Sequence, residues 1–123
     1  MRTFYIADDV QVEHAGPDVA ILAVGGEVDF EVSPQLKAGV MRAIRDGRRR
    51  LILDLSDVTF IDSTAIGVLA GAVEKLDESG GGSVSVVCSN DKVIQIFEIT
   101  GLESVISVHA SREDALAAVA AAR

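Results

Sequence analysis

The sequence is short of cysteine, of positive charge, of histidine and of long apolar runs, and each shortage weighs against a class of function. A single cysteine, Cys88, permits neither an internal disulfide nor a cysteine-built zinc site. Its apolar neighbours Val86 and Val87 mark it as a strand-core residue rather than a reactive thiol. Lysine and arginine total 11 against 19 aspartates and glutamates, a formal net charge of −8. That balance argues against nucleic acid, whose phosphates require clustered basic side chains, and against adhesion to an anionic membrane surface. It is compatible with a basic protein partner, because opposite fields steer encounter. No apolar run approaches the roughly 20 residues that span a bilayer. Met1 to Asp9 carries two acids and no long apolar core, so no signal peptide is legible and a cytoplasmic setting is the expectation.

What is present reads as one domain over residues 1–123, with 49% hydrophobic and 24% charged residues, values of a packed chain rather than a disordered one. Val10 to Glu13 alternates apolar and polar, Gly16-Pro17 interrupts, and Val19 to Val24 resumes as an apolar run. Two such runs around Gly-Pro predict an antiparallel hairpin, closed by Gly25-Gly26 and followed by the loop Glu27-Val28-Asp29-Phe30. Ser33-Pro34 predicts a helix start, with the serine as cap and Leu36, Val40 and Ile44 as the apolar stripe. Asp46-Gly47 closes that helix, and Arg48-Arg49-Arg50 reads as its solvated exit.

Leu51 to Leu76 then reads as a buried strand, a hydroxyl-bearing turn at Asp62-Ser63-Thr64, and a helix with Ile66, Leu69, Val73 and Leu76 on one stripe. Val84 to Val87 is a short strand after Gly80-Gly81-Gly82. Asn90 caps a helix carrying Val93, Ile94 and Phe97 and ended by Gly101. Val105 to Val108 is a last strand, and Ser111 with Asp114 opens a last, alanine-rich helix. The order β-β-α-β-α-β-α-β-α defines an α/β fold: a mixed sheet led by an antiparallel hairpin, with about four helices packed on it.

Several arrangements could put acids and hydroxyls to work. A receiver-type acidic pocket would use Asp8-Asp9 and Asp54. However, Asp8-Asp9 precede a strand rather than follow one, no lysine follows the last strand, and Leu55-Ser56-Asp57 lacks the expected proline turn. A serine hydrolase needs a base beside its nucleophile. The only histidines, His14 and His109, lie in no motif, and Ser63 lacks the glycines of a nucleophile elbow, so both histidines read as surface or strand-end residues. Gly80-Gly81-Gly82 sits between a helix and a strand, the reverse of a phosphate-binding loop.

Phe60-Ile61-Asp62-Ser63-Thr64-Ala65-Ile66-Gly67-Val68-Leu69 resembles the phosphorylation loop of STAS-domain anti-sigma factor antagonists. That family's pattern is an apolar pair, then Asp-Ser-Ser/Thr-Gly-Leu-Gly, then apolar residues. Gly26-Glu27-Val28-Asp29 resembles its Gly-Glu-hydrophobe-Asp loop, and Phe97-Glu98-Ile99-Thr100-Gly101-Leu102 its Phe-x-hydrophobe-Ser/Thr-Gly-Leu segment. The resemblance covers about Val10 to Leu116, the core of a single STAS domain. One departure is Ala65, where the family has glycine, and a methyl group there is expected to crowd a kinase approaching the serine backbone.

The resemblance implies a regulator rather than an enzyme, with no catalytic residue, metal or cofactor of its own. It implies that Ser63 is the phosphoacceptor and that Glu27, Asp29, Asp62, Ser63, Thr64 and Ile66 meet the partner. The unphosphorylated chain would bind an anti-sigma factor that is also an ATP-dependent serine kinase, freeing a sigma factor. Phosphorylation of Ser63 would release the antagonist, and a serine phosphatase would restore it. ATP and magnesium belong to the kinase. With Ser63 or Asp62 capping the second helix, a phosphate of about −1.5 to −2 charges is expected to be tolerated by the fold and to act on the interface. The alternative is a STAS scaffold or ligand-sensing module with no phosphorylation cycle.

Overall fold

The alternating apolar residues of the N-terminal half pair into a sheet that the later strands extend. A computed structural model describes residues 10–121 and the backbone of residues 2–7. Asp8 and Asp9, and with them part of the leader and receiver readings, lie outside the described residues. The strands are β1 (Arg2–Ala7), β2 (Val10–Ala15), β3 (Val19–Val28), β4 (Arg50–Ile61), β5 (Ser83–Val87) and β6 (Ile106–His109). They form one six-stranded sheet in the order β1-β2-β3-β4-β5-β6. β1, β2 and β3 are antiparallel neighbours, and β3 to β6 are parallel. Parallel neighbours need crossovers. These are the helices α1 (Ser33–Arg45), α2 (Ser63–Glu78) and α3 (Asp91–Thr100), with α4 (Arg112–Ala121) following β6.

Side-chain alternation divides the core in two. Leu22, Leu51, Leu53 and Val86 face α1, α2 and α3, which contribute Leu36, Val40, Leu69 and Phe97 to the larger cluster. Ile21, Ile52 and Val87 face the other way and meet Ala115 and Val119 of α4. The expected stripe on α1 is buried as read. On α2 the buried positions are Ala65, Leu69, Ala72 and Leu76, so the stripe is rotated from the expected one and Ile66 and Val73 sit at its margin. Two alanines at the contact let the helix lie close to the strands.

Several expectations change. β1 adds a strand ahead of the expected hairpin. β3 does not stop at Gly25-Gly26 but runs on to Val28, and β4 runs to Ile61. Gly26 has φ of 70°, a conformation glycine adopts without a Cβ penalty, so the glycines bend the strand instead of ending it. Ser33 is not the cap of α1: Val32 holds that position, and Asp29 Oδ1 accepts the Glu31 and Val32 N–H groups in the turn before it. The arginine run is not a solvated exit. Arg48 donates to the Gly16 carbonyl at 2.6 Å and contacts His14 Nδ1 at 2.8 Å, and Arg50 pairs with Asp18 at 3.1 Å, fastening the β2–β3 turn. The caps Asn90, Gly101 (φ 76°) and Ser111 form as read.

Candidate functional site

The site is carried out on an arm of the sheet. β5 pairs only with Arg50 to Asp54 of β4, so the later part of β4 has β3 as its described neighbour. Ala23 pairs with Asp54 but Gly25 with Asp57, and Gly26 pairs with Val58 but Glu27 with Phe60. β4 therefore carries an extra residue twice. Its buried residues change from Leu51, Leu53 and Leu55 to Val58 and Ile61, a period of three in place of two. The bulges twist the arm and turn Phe60 outward, 49% exposed. Glu27 is its exposed cross-strand neighbour, and Asp62 N–H donates to the Val28 carbonyl at 3.3 Å.

Asp62 caps α2. Its Oδ1 accepts Thr64 N–H at 2.9 Å, Ala65 N–H at 3.2 Å and the Thr64 hydroxyl at 2.5 Å. The Thr64 hydroxyl foremost, with the Ala65, Thr64 and Phe30 N–H groups, outweighs desolvation and holds the Asp62 carboxyl below its ordinary value. Ser63 is the first helical residue, exposed, with no hydrogen bond to its hydroxyl among the described residues. Ser33, 3% exposed, places its hydroxyl 2.8 Å from the Asp29 carbonyl and 3.1 Å from Thr64 Oγ1. Those contacts stitch the turn before α1 to the turn before α2. Phe30, 68% exposed, stands on the first turn. A groove of about 560 Å³ leads away between α1 and α2, with Thr64 at its head and Lys37, Met41, Val68 and Lys75 among its walls.

The residues expected to meet a partner thus divide. Glu27, Asp29, Asp62, Ser63 and Thr64 gather at the end of the arm, where the Asp29 and Asp62 carboxylates already serve their own turns. Ile66 packs partly against the main core and offers only a margin. Ala65 is 1% exposed, so its methyl group faces the core and not an approaching kinase. The N–H groups of Thr64 and Ala65 are taken by Asp62, so a phosphate on Ser63 would sit beside a carboxylate instead of in an open cradle. Phe30, Phe60 and the Ser33–Thr64 contact were not legible as site features. The exposure of Phe60 follows from bulges that leave no mark in local sequence, and the contact joins residues 31 positions apart.

The rejected arrangements are occupied otherwise. Asp54 accepts from Ser56 and from Arg112 Nε at 2.5 Å. Burial works to raise its pKa, but those partners prevail and hold it low. His14 is buried and pairs with Ala20 near the start of β3, the opposite end of the sheet from Ser63. Burial raises the Cys88 thiol, as suits a core residue with weak acidity.

Comparison with known proteins agrees with this geometry. The anti-sigma-B factor antagonist of Bacillus subtilis is 30% identical over 105 residues, 85% of this chain and 94% of its own. The anti-sigma-B factor antagonist of Staphylococcus aureus is 30% identical over 90 residues, 73% of this chain and 82% of its own. The crystal structure of an anti-sigma factor antagonist from Mycobacterium paratuberculosis matches with a TM-score of 0.79 at 30% identity, covering 89% of this chain and 92% of that one. The STAS domain model matches residues 10–115, strands β2 to β6, their crossovers and the Asp62-capped turn together, and the chain belongs to the STAS domain family.

Proposed function

We propose that the chain is an anti-sigma factor antagonist switched at Ser63. In this reading the unphosphorylated form docks a kinase-type anti-sigma factor through the end of the β3–β4 arm and the start of α2, and a sigma factor is freed. Transfer of a phosphoryl group to Ser63 ends the complex, and a serine phosphatase restores it. The observation that carries the reading is the Ser63 hydroxyl, exposed and without a hydrogen-bond partner among the described residues, on a helix whose cap is supplied by Asp62. Its relatives' name, anti-sigma-B factor antagonist, supports the choice of partner class.

The geometry also suggests why phosphate would act on the interface rather than on the fold. Among the described residues no group depends on the Ser63 hydroxyl, so modification breaks no hydrogen bond there. The added charge and bulk stand next to Asp62 on a face that also exposes Glu27. Misplaced charge at an interface costs several kcal/mol, on the order of a thousandfold in affinity.

The test is intact-mass analysis after incubation with a kinase-type anti-sigma factor and ATP. One phosphate is expected on the wild-type chain and none on Ser63→Ala. No phosphate from a kinase that binds the chain would overturn the switch and favour a scaffold. In parallel, Ser63→Asp is expected to keep the circular dichroism of the wild type and to lose the partner in a pull-down.

A further inference from the structure

The turn carries adjacent hydroxyls that the surrounding hydrogen bonds treat differently. Ser63 Oγ has no partner among the described residues, whereas Thr64 Oγ1 lies 2.5 Å from Asp62 Oδ1 and 3.1 Å from Ser33 Oγ. Exposure does not separate them, since both residues are exposed. The difference is in what each oxygen must give up to move.

An ionised Asp62 only accepts, so the Thr64 proton is directed to it. Ser33 has a single hydroxyl proton, and the Asp29 carbonyl 2.8 Å from it already accepts the Ser33 N–H, so that carbonyl stays satisfied when the hydroxyl proton turns to Thr64 Oγ1 at 3.1 Å. Thr64 Oγ1 is therefore held between the cap of its own helix and the first turn of α1. In phosphoryl transfer from ATP, a bond forms between the acceptor oxygen and the γ-phosphorus. The bond from that phosphorus to the bridging oxygen breaks, ADP leaves, and the hydroxyl proton passes to a base on the kinase. The acceptor oxygen must swing into line with the leaving group. Ser63 gives up no hydrogen bond among the described residues to do so, whereas Thr64 must leave both Asp62 and Ser33.

We propose that Ser33, a residue of α1, is a specificity-determining residue for this modification. By fastening the Thr64 oxygen between α1 and Asp62, it reserves the phosphoryl group for Ser63. Ser33 is buried and acts through Thr64, so it is a positioning residue. The inference rests on the phosphorylation of Ser63 proposed above.

The test maps phosphate by fragment mass spectrometry after incubation with an anti-sigma kinase that binds the wild-type chain, ATP and magnesium. Ser63→Ala is expected to stay unmodified. Adding Ser33→Ala is expected to put phosphate on Thr64, where Ser63→Ala alone carries none, because one hydrogen bond holding that oxygen is lost. Ser33→Thr, which keeps a hydroxyl, is expected to suppress it again. Equal Thr64 phosphate with and without Ser33→Ala overturns the proposal.

A second measurement needs no kinase. The Thr64 hydroxyl proton is expected to be resolved by NMR in the wild type and to exchange about fivefold to tenfold faster in Ser33→Ala. A Thr64 hydroxyl that exchanges as fast as that of Ser63 in the wild type overturns the fastening. If the wild-type chain binds the kinase and takes no phosphate, the switch itself falls. The hydroxyl spectrum then still decides whether Ser33 holds Thr64.

Discussion

Asp62 works for the helix and for the surface at once, and substitutions separate the duties. Its Oδ1 satisfies the Thr64 and Ala65 N–H groups, donors that otherwise have no partner within the first turn. Asp62→Ala is expected to lower the urea midpoint of unfolding, because the capping bonds are lost. Asp62→Asn keeps an acceptor and is expected to lose less stability while removing the charge from the docking face. Equal losses would mean that charge, and not the capping bonds, is what α2 uses. At Ala65 the family's glycine can be restored. Because the methyl group is buried, Ala65→Gly is expected to cost up to about 1 kcal/mol in helix stability. It should leave the rate of Ser63 phosphorylation unchanged. A faster reaction in the variant would show that the methyl group does obstruct the kinase.

Among the elements, α4 is the one most dependent on a polar fastening. Ala115 and Val119 are its buried residues, whereas α2 buries Ala65, Leu69, Ala72 and Leu76 against the main core. Its first residue, Arg112, reaches back across the sheet to Asp54 at 2.5 Å and to Glu13 at 3.1 Å. Charge-assisted, half-buried bonds of this kind contribute more than exposed pairs, so Arg112→Ala is expected to cost about 1–2 kcal/mol. Amide exchange should accelerate in α4 before α2, and uniform acceleration would mean that α4 opens only with the whole fold. The helices themselves were legible: periods of three and four with Asn90, Gly101 and Ser111 as punctuation mark them locally. The β3–β4 arm was not, because Gly25-Gly26 and Ser56-Asp57 have the composition of turns. Only the pairing of each strand with the other, through a shifted register, keeps them extended. The same divide runs through the site. Asp62-Ser63-Thr64 is a contiguous motif that sequence can carry, while Ser33 to Thr64 and Arg112 to Asp54 are contacts that exist only once the strands are ordered.

Across the whole molecule, opposing electrostatic effects set the dependence of stability on pH. The formal net charge is −8 near neutrality and the isoelectric point is near 4.6, so acidification relieves repulsion among carboxylates down to that region. Asp54 and Asp62 act in the other direction. Both are held below an ordinary value of 3.8 in the folded chain, so the unfolded state binds protons first and their stabilisation is lost as pH falls below about 4. The expected urea midpoint rises gently from neutral pH to a maximum near about pH 5, then falls steeply below about pH 4. Salt should separate the limbs, because repulsion acts over distances that about 0.5 M salt screens, whereas Arg112 and Asp54 are in contact. Added salt is expected to flatten the upper limb and to leave the acid limb standing. Arg112→Ala should make the acid limb shallower, since Asp54 then loses the guanidinium that helps hold its carboxyl low. Parallel acid limbs in the variant and the wild type would place the acid sensitivity elsewhere than at the contact between α4 and β4.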